Sequence, residues 1–389
     1  MTPLPPPRRL LIRGVNWLGD AIMTTPALQR LRQALPDTEI TLLAHDKLAD
    51  LWKHHPSINE ALTFAPDESV LSVAGRIRAG GFDAALILPN SPRSALEAWL
   101  AGVPQRVGYA RPWRNFCLTH KVAERPGEVR MAKRSPDEIR SLIHDEAVVD
   151  RKQIPVSAHQ SNEYLYLGAT FGARAEPIPP LIAVQSEEIK AASNRFGLAS
   201  TGETSKPLFG LNAGAEYGPA KRWPIDRFIS AAAEIQKRIG CHWLIFGGPK
   251  DESLGAEVTA GILNALPKPA AGAGSTVLNL AGKTTLRELC ALLKLCRVLL
   301  TNDSGPMHLA AAVGTPAVVP FGSTSPELTG PGLPSTGDSN QILQANAPCS
   351  PCFLRVCPID LRCMTGISEG QVVDAVLKVA LSRAQTDQN

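Results

Sequence analysis

Short apolar runs alternate with amphipathic stretches along the first third of the chain. The apolar runs are bounded by polar or turn residues, and their lengths are typical of strands in a parallel sheet. These runs are residues 8–14, 39–44 and 83–89. Apolar residues at helical spacing lie between them, at residues 26–35 and 70–81. We expect Thr25 to cap the first of these helices, with Pro26 in its first position.

The same alternation begins again after residues 201–207 (TGETSKP), a polar stretch that is typical of a connector. The strand-like runs of this half are residues 208–214, 241–248, 276–282, 297–303 and 316–322. The helix-like stretches are residues 225–239, 250–264, 284–295 and 305–313. Strands that alternate with helices predict an α/β fold, in which helices cover both faces of a parallel sheet.

A chain of 389 residues is too long for one ordinary hydrophobic core, so the repeated alternation predicts two domains. We expect two Rossmann-like, doubly wound domains, residues 1–180 and 181–389, that face each other across a cleft. Open parallel sheets bind ligands at the carboxyl ends of their strands, which makes that cleft the expected ligand site. The last helix, residues 368–383, could pack back on the first domain.

Residues 104–140 interrupt the alternation, because they are rich in proline and arginine and show little periodicity. Nine basic and four acidic side chains give this basic segment a net charge of +5. Helical patterns return at residues 137–149 and 158–171. The whole chain carries only +4, which argues against a nucleic-acid partner and leaves an acidic small molecule or an anionic membrane surface.

The first residues do not resemble a signal peptide, because the prolines precede the basic pair and only residues 10–12 are apolar after it. No apolar run approaches the ~20 residues that a transmembrane helix needs. The sequence therefore predicts a cytoplasmic protein.

A glycine-bracketed turn, Gly14 to Gly19, follows the first apolar run and leads directly to Asp20. This position is the carboxyl end of an expected strand, where an α/β enzyme binds its substrate. A carboxylate there can remove a proton from a substrate as a general base. It can equally cap the short turn before Pro26, and the turn alone leaves both roles open.

Three strand ends of the second half carry glycines together with charged side chains. In TNDSGPMHLAAAVGTP, the free N–H groups of a helix start would attract phosphate, and Asp303 would bind sugar hydroxyls or cap the helix. In NAGAEYGPAKRWP, Lys221 after a glycine loop suits a diphosphate, with a solvated basic turn as the alternative. In FGGPKDE, Asp251 would bind ribose hydroxyls or favour the first turn of the next helix.

Together the three loops predict that the second domain binds a nucleotide diphosphate. The glycines match neither standard nucleotide motif. The sequence G-x-x-x-x-G-K-[ST] is absent, and Gly14 and Gly19 do not form the G-x-G-x-x-G fingerprint of a dehydrogenase.

Four of the eight cysteines cluster near the end of the chain, separated by two, four and five residues. They are Cys349, Cys352, Cys357 and Cys363. Thiolates this close together could hold zinc or an iron–sulfur cluster. The spacing matches no standard zinc pattern, so the sequence predicts no metal site and keeps this cluster as the alternative.

The chain resembles the lipopolysaccharide heptosyltransferases of glycosyltransferase family 9 in four motifs: RGVNWLGDAIMTTPAL, NAGAEYGPAKRWP, FGGPKDE and NDSGPMHLAAAVGTPAVVPFGSTSP. The resemblance covers almost the whole chain. The NWLGD turn, the AEYGPAKRWP loop and the cysteine cluster are most similar to the heptosyltransferase II branch.

This resemblance implies the GT-B fold and an inverting transfer of L-glycero-D-manno-heptose from ADP-heptose. The implied acceptor is the heptose I residue of the lipopolysaccharide inner core, carried on heptosyl-Kdo-lipid A. The implied place of action is the cytoplasmic face of the inner membrane, with the protein bound peripherally. GT-B enzymes generally need no catalytic metal, and the chain has no D-x-D pair, so no cofactor is expected.

The resemblance also implies roles for individual residues. Asp20 matches the family's proposed catalytic base, and Lys221 matches a catalytic lysine that contacts the donor phosphates. Other positions that match donor contacts are Asp251 near the ribose and Asp303, Ser304, Gly305 and His308 in a D-[ST]-G-x-x-H site. Gly214 and Ala215 stand where another branch has hydroxyl residues, so a phosphate contact there is expected from backbone N–H groups.

The anionic acceptor gives the basic segment an expected role as a flexible loop that holds it at the membrane face. The residues expected to contact the acceptor are Arg111, Arg114 and Lys121. Trp113, Phe116 and Met131 would add apolar contacts, and a merely solvated loop is the alternative.

Two other functions remain compatible with the sequence. A transferase of the same fold could use another nucleotide sugar or act at a different core heptose, because nothing in the loops is specific for heptose. A non-catalytic nucleotide- or metal-binding protein is also possible, and Asp20 would then only be a cap.

Overall fold

The computed structural model describes residues 2–144, 154–198, 206–267, 276–332 and 340–386. The chain divides into two compact units: the first comprises Met1–Val129 and Val156–Ala183, and the second Arg130–Pro155 and Val184–Asn389. The change of unit after Ala183 lies close to the boundary expected at residue 180. Residues 130–144 and 154–155 group with the second unit, whereas the sequence analysis assigns them to the first.

The first unit contains a six-stranded, all-parallel sheet in the order β3-β2-β1-β4-β5-β6. Its strands are β1 (Arg9–Arg13), β2 (Glu39–His45), β3 (Glu60–Phe64), β4 (Ala84–Ile87), β5 (Gln105–Tyr109) and β6 (His120–Val122). The central strand β1 pairs with two neighbours, and Leu11 lies opposite both Thr41 and Ala85. Leu11 and Ile87 are completely buried in the apolar core beside the sheet.

Five helices lie in the described part of the same half of the chain. They are α1 (Leu18–Ala34), α2 (Val70–Ala79), α3 (Pro92–Leu100), α4 (Pro136–His144) and α5 (Ser161–Gly168). Helix α1 packs against α5, and α2 packs against α3, while α4 belongs to the second unit. Ser69 and Ser91 cap α2 and α3, since each side chain accepts a hydrogen bond from a backbone N–H three residues on.

The second unit repeats this architecture, with a parallel sheet in the order β12-β11-β10-β7-β8-β9. Its strands are β7 (Leu208–Asn212), β8 (His242–Ile245), β9 (Val277–Asn279), β10 (Val298–Thr301), β11 (Ala317–Phe321) and β12 (Gln341–Gln344). Its helices are α6 (Ser186–Arg195), α7 (Ile225–Ile239), α8 (Glu252–Ala265), α9 (Leu286–Leu295), α10 (Gly305–Ala312), α11 (Pro326–Thr329), α12 (Arg362–Thr365) and α13 (Glu369–Thr386). Helix α13 packs on α7 and on strands of this sheet.

Both sheets have the same strand order, so each has its topological switch point at the corresponding place. In the first unit the connections diverge between β1 and β4, and in the second between β7 and β10. Open α/β sheets bind ligands at this point, just beyond the carboxyl ends of the two strands. The fold class predicted from the sequence, two Rossmann-like α/β units, is confirmed.

Helix α1 begins earlier than predicted, at Leu18, so Thr25 and Pro26 lie inside it rather than at its start. A proline inside a helix leaves the carbonyl four residues earlier, here Ile22, without its N–H partner. The Thr25 Oγ1 hydroxyl donates to that Ile22 oxygen at 2.8 Å. The proline is therefore tolerated, and the prediction that Thr25 caps the helix is wrong.

The basic segment is also more ordered than the predicted flexible loop, because it includes β5 and β6. Strands of five and three residues are too short to show a clear alternating pattern. Several of its arginines are tied to the unit: Arg106 donates to the carbonyls of Cys117 and Val103, and Arg125 pairs with Glu163 at 2.8 Å.

Two predicted features fall partly outside the described residues: residues 145–149 of the helical pattern at 137–149, and residues 201–205 of the polar connector. Across the described part of the chain, every helix is too short or too polar to cross a bilayer.

Candidate active site

A buried ion pair holds the turn that carries Asp20. Arg13 Nε donates to Glu97 Oε2 at 2.9 Å, and Arg93 Nε donates to the other carboxylate oxygen of Glu97 at 2.9 Å. From the same guanidinium, Arg13 Nη1 donates to the Gly14 carbonyl at 2.7 Å. These bonds fix the end of β1 to α3. The turn that carries Asp20 begins at this fixed end.

Asp20 lies in the first turn of α1, with Trp17 in the N-cap position. The N-cap position is thus occupied by Trp17, which makes no side-chain capping hydrogen bond. A negative side chain in the first turn is favoured by the helix dipole. The same turn places the partly exposed Asp20 carboxylate at a pocket, where it can meet a ligand.

This pocket has a volume of about 350 Å³ and lies at the switch point of the first sheet. Its walls come from the loops after β1 and β4, the end of β5 and the start of α5. Polar side chains dominate these walls, in addition to Asp20: Asn16, Asn90, Ser91, Tyr109, Arg111, Glu128, Gln160, Glu163 and Tyr164. Such a lining suits the hydroxyl groups of a sugar.

Two tyrosines of the pocket keep their protons at neutral pH. Burial raises the pKa of Tyr164, and the negative charge of Asp20 raises it further. Burial and the neighbouring Glu163 raise the pKa of Tyr109, whose hydroxyl donates to the Glu163 carbonyl at 2.8 Å.

The three residues predicted to contact the acceptor differ in their burial and in their distance from the Asp20 pocket. Arg111 lines the Asp20 pocket and pairs with Glu124 at 3.0 Å and Glu128 at 3.2 Å. Lys121 is exposed on the edge strand β6 and is not among the lining residues.

Arg114 is fully buried and has no exposed surface for an acceptor, so the prediction that it contacts the acceptor is wrong. Its guanidinium donates to the Pro89 carbonyl and fills the space beside Gly108, where a Cβ would lie 2.5 Å from Nη2. Burial lowers the pKa of Arg114 to about 10. Gly108 therefore leaves the space that the buried Arg114 side chain fills.

In the second unit, Lys221 and Asp303 meet at the corresponding switch point. Lys221 Nζ lies 2.5 Å from Asp303 Oδ2, and the Thr324 hydroxyl donates to the same oxygen at 2.5 Å. Both side chains of the ion pair are mostly buried. The Asp303 carboxylate thus joins the loops after β7, β10 and β11. These contacts explain the position of Asp303 better than a role as a helix cap does.

Asp251 brings the third predicted loop to the same place. A Cβ on Gly214 would lie 2.8 Å from Asp251 Oδ2, so only a glycine allows this carboxylate to approach the loop after β7. The same oxygen accepts a hydrogen bond from the Gly248 N–H at 3.1 Å. Ala215 is buried beside Gly214, and Arg222 donates to its carbonyl at 3.3 Å.

Helix α10 begins at Gly305, directly after the Lys221–Asp303 pair. Ser304 is its N-cap residue but makes no side-chain capping bond, since its hydroxyl donates to the Asn302 carbonyl at 3.2 Å. His308 is buried one turn into the helix. The structure therefore brings Gly214, Lys221, Asp251, Asp303 and the start of α10 together around one switch point.

Sequence reasoning missed two asparagines that hold these loops together. Asn302 Oδ1 accepts the Trp223 N–H at 2.9 Å, and its Nδ2 donates to the Ala213 carbonyl at 2.7 Å. Asn212 Nδ2 donates to the Thr301 hydroxyl at 3.1 Å. Each asparagine stands where a strand ends, and this position was the signal that could have identified them.

The cysteine cluster lies in the core of the second unit. Cys349, Cys352 and Cys363 are buried, and Cys357 is half-buried. Burial and the neighbouring thiols raise the pKa of Cys363 to about 12, and burial also raises those of Cys349 and Cys352. Within the described ranges, no group of three or more His, Cys, Asp or Glu side chains could hold a metal ion.

Comparison with known proteins agrees with this arrangement. The model of glycosyltransferase family 9 (heptosyltransferase) matches residues 70–362. The chain is 31% identical over 333 residues to lipopolysaccharide heptosyltransferase 2 of Escherichia coli (strain K12). The aligned region covers 83% of this chain and 85% of that protein. It is 31% identical over 367 residues to lipooligosaccharide heptosyltransferase 2 of Campylobacter jejuni serotype O:2, with coverages of 94% and 96%.

A solved structure is also similar over nearly the whole length. The ADP-heptose LPS heptosyltransferase II of E. coli matches with a TM-score of 0.72 and 26% identity, over 97% of this chain and 99% of that chain. The two Rossmann-like units with their switch-point sites define a glycosyltransferase of the GT-B class. The chain belongs to glycosyltransferase family 9, as its sequence motifs predict.

Proposed function

We propose that the protein transfers L-glycero-D-manno-heptose from ADP-heptose to the heptose I residue of the lipopolysaccharide inner core. The observation that carries the proposal is a carboxylate in a sugar-sized polar pocket of one unit and a buried lysine among phosphate-suited loops of the other. The names of the relatives support the sugar and the step, since both curated relatives described above are heptosyltransferases 2.

In this proposal Asp20 acts as the general base of an inverting displacement. The acceptor hydroxyl attacks the anomeric carbon of the heptose, and the bond from that carbon to the ADP oxygen breaks. Asp20 accepts the hydroxyl proton, and ADP leaves with the electron pair of the broken bond. A positioned base of this kind typically contributes 10²–10⁴-fold to a rate.

Lys221 stabilises the departing diphosphate, whose negative charge increases as the bond breaks. Backbone N–H groups near Gly214, Ala215, Ser304 and Gly305 complete the phosphate contacts, because the start of α10 attracts anions. Asp251 and Asp303 bind hydroxyl groups of the ribose or the heptose. His308 supports this site from within α10.

The pocket of Asp20 receives the acceptor sugar, and Arg111 at its wall contacts the anionic core. Arg111 already has two carboxylate partners, so an acceptor phosphate would compete with Glu124 and Glu128. Lys121 contributes to the positive potential outside the pocket rather than to direct contact.

The acceptor is a lipid, and we propose that the protein acts at the cytoplasmic face of the inner membrane, bound peripherally. Support comes from Trp113 and Phe116, which are 86% and 66% exposed among the arginines of the basic segment. Aromatic and basic side chains together favour an anionic membrane surface. The described cysteines are all free thiols, as is usual in a reducing compartment.

The direct test offers ADP-heptose with two acceptors, Kdo-lipid A and the same lipid already bearing one heptose. We expect transfer only to the heptosylated lipid. Transfer to the bare lipid would assign the protein to the first heptosyl step. Transfer only from ADP-glucose or a UDP-sugar would leave a glycosyltransferase with another donor and overturn the proposed substrate.

A further inference from the structure

The cysteine segment, residues 349–363, packs directly on the loop that carries Lys221. The Ala220 N–H donates to the Arg355 carbonyl at 3.0 Å, and the Tyr217 hydroxyl donates to the Phe353 carbonyl at 2.7 Å. Gly218 makes this approach possible, because a Cβ there would lie 2.5 Å from the Arg355 oxygen. Its φ of 153° is also one that glycine adopts readily.

The other side of the cysteine segment is fixed to the loop after β11. The N–H groups of Cys352 and Phe353 both donate to the Ser323 carbonyl, at 3.1 and 2.7 Å. The next residue, Thr324, is the one whose hydroxyl donates to Asp303. The segment therefore joins two of the three loops that surround the Lys221–Asp303 pair, and its buried cysteines anchor it in the core.

This arrangement places a second cation against the tyrosine ring that Lys221 also contacts. Lys221 Nζ lies 4.8 Å from the centre of the Tyr217 ring, and the Arg355 guanidinium carbon lies 5.2 Å from the same centre. Arg355 is exposed, and among the described residues it has no carboxylate partner within ion-pair distance. Its neighbour in the segment, Arg362, is instead paired with Asp360 at 2.9 Å.

Charge balance indicates what the second cation does. The positive charge of Lys221 is already balanced by Asp303 at 2.5 Å, so the pair as a whole is neutral. A departing nucleoside diphosphate carries at least two negative charges, so it needs a further positive partner in addition to Lys221, whose charge Asp303 partly offsets. A guanidinium is well suited to this, because its N–H groups form paired hydrogen bonds with phosphate oxygens.

We propose that Arg355 contacts the diphosphate of the nucleotide donor and stabilises the departing ADP together with Lys221. The cysteine segment is then a wall of the donor site. This inference rests on the proposed function, since it takes the donor to be an ADP-sugar.

The test is calorimetric titration of the full-length protein with ADP, for the wild type and for Arg355→Gln, Arg355→Lys and Arg362→Gln. Loss of one charge-assisted contact should weaken ADP binding about 10-fold in Arg355→Gln. Arg355→Lys keeps the charge but loses the paired hydrogen bonds of the guanidinium, so it should weaken ADP binding less than Arg355→Gln does. Arg362→Gln removes a charge from the same segment and should bind ADP as the wild type does.

The outcomes separate the two proposals. Wild-type protein that does not bind ADP would refute the proposed donor. Wild-type protein that binds ADP, with Arg355→Gln binding it equally well, would overturn only the role of Arg355. Equal weakening in Arg355→Gln and Arg355→Lys would also overturn it, because a loss that the retained charge does not reduce reflects packing. Thermal melting of each variant identifies such a packing defect.

Discussion

Lys221 Nζ lies 2.5 Å from Asp303 Oδ2, and this ion pair joins the loops that follow β7 and β10. Its side chains are only 13% and 4% exposed, so each charge depends on the other for its stability. Asp303 has a second partner in Thr324, whereas Lys221 reaches the ring of Tyr217. The same lysine therefore joins loops that belong to the proposed donor site.

Lys221→Gln should weaken ADP binding at least 10-fold and lower the free energy of unfolding by about 3 kcal/mol. The first effect is the loss of a phosphate contact, and the second is the buried Asp303 charge left without its cation. Calorimetric titration measures the affinity for ADP, and urea unfolding measures the free energy of unfolding. Lys237→Gln, on the exposed surface of α7, is the matched control and should change neither. Unchanged ADP affinity in Lys221→Gln would remove the lysine from the donor site.

Glu97→Gln should destabilise the first unit and slow turnover, because it leaves the Arg13 charge buried without a carboxylate. Breaking a buried pair in this way costs about 3–5 kcal/mol. The turn after β1 would lose its fixed position, so kcat should fall while the affinity for ADP stays the same. Glu39→Gln breaks the exposed Arg9–Glu39 pair and should cost less than about 1 kcal/mol. Equal losses in the two variants would contradict the positioning role.

We expect the folded protein to lose stability in acid because of the buried His55. Burial lowers its pKa from 6.5 to about 4, so the folded protein binds its proton less readily than the unfolded chain does. Stability is therefore complete above pH 6.5 and decreases as the pH falls toward 4, by up to about 3 kcal/mol. His55→Gln should remove this part of the pH dependence. Unfolding curves at pH 7 and pH 4.5 give the loss of unfolding free energy for the wild type and for His55→Gln. An equal loss in both would show that His55 does not cause the acid destabilisation.

Arg111→Gln should raise the KM for the lipid acceptor several-fold and leave the KM for the donor unchanged. Its guanidinium is at the wall of the Asp20 pocket, where the anionic core would bind. Arg140→Gln is the control for net charge, since this arginine belongs to the same basic segment but is exposed and paired with Asp137. Steady-state kinetics with each substrate varied gives both constants. An equal rise in the two variants would indicate a general charge effect instead of a contact.

The strand–helix alternation was sufficient to predict the α/β class and most of the central elements. Helix α7 spans Ile225–Ile239, as its apolar spacing predicts, and β1, β2 and β4 lie within a few residues of their predicted positions. The short strands β3, β5 and β6 were not predicted. Three to five residues cannot display a period, and their pairing depends on neighbours that are distant in sequence.

The candidate site could be predicted only in part, for a similar reason. Lys221, Asp251 and Asp303 were identified because charged residues after strand ends converge at one edge of a parallel sheet. Arg355 is more than 130 residues from Lys221 along the chain, and nothing local connects them. The burial of Arg114 was equally invisible, because it depends on the space that Gly108 leaves on a neighbouring strand.

The most direct test of the account compares heptosyl transfer and ADP binding in Asp20→Asn. Loss of the base should slow single-turnover transfer to the heptosylated acceptor by about 10²–10⁴-fold, with the Kd for ADP within twofold of the wild type. Glu163→Gln changes another carboxylate of the same pocket and should slow transfer less than about 10-fold, because Glu163 is engaged with Arg125. Transfer by Asp20→Asn at a rate within 10-fold of the wild type would contradict the assignment of Asp20 as the base.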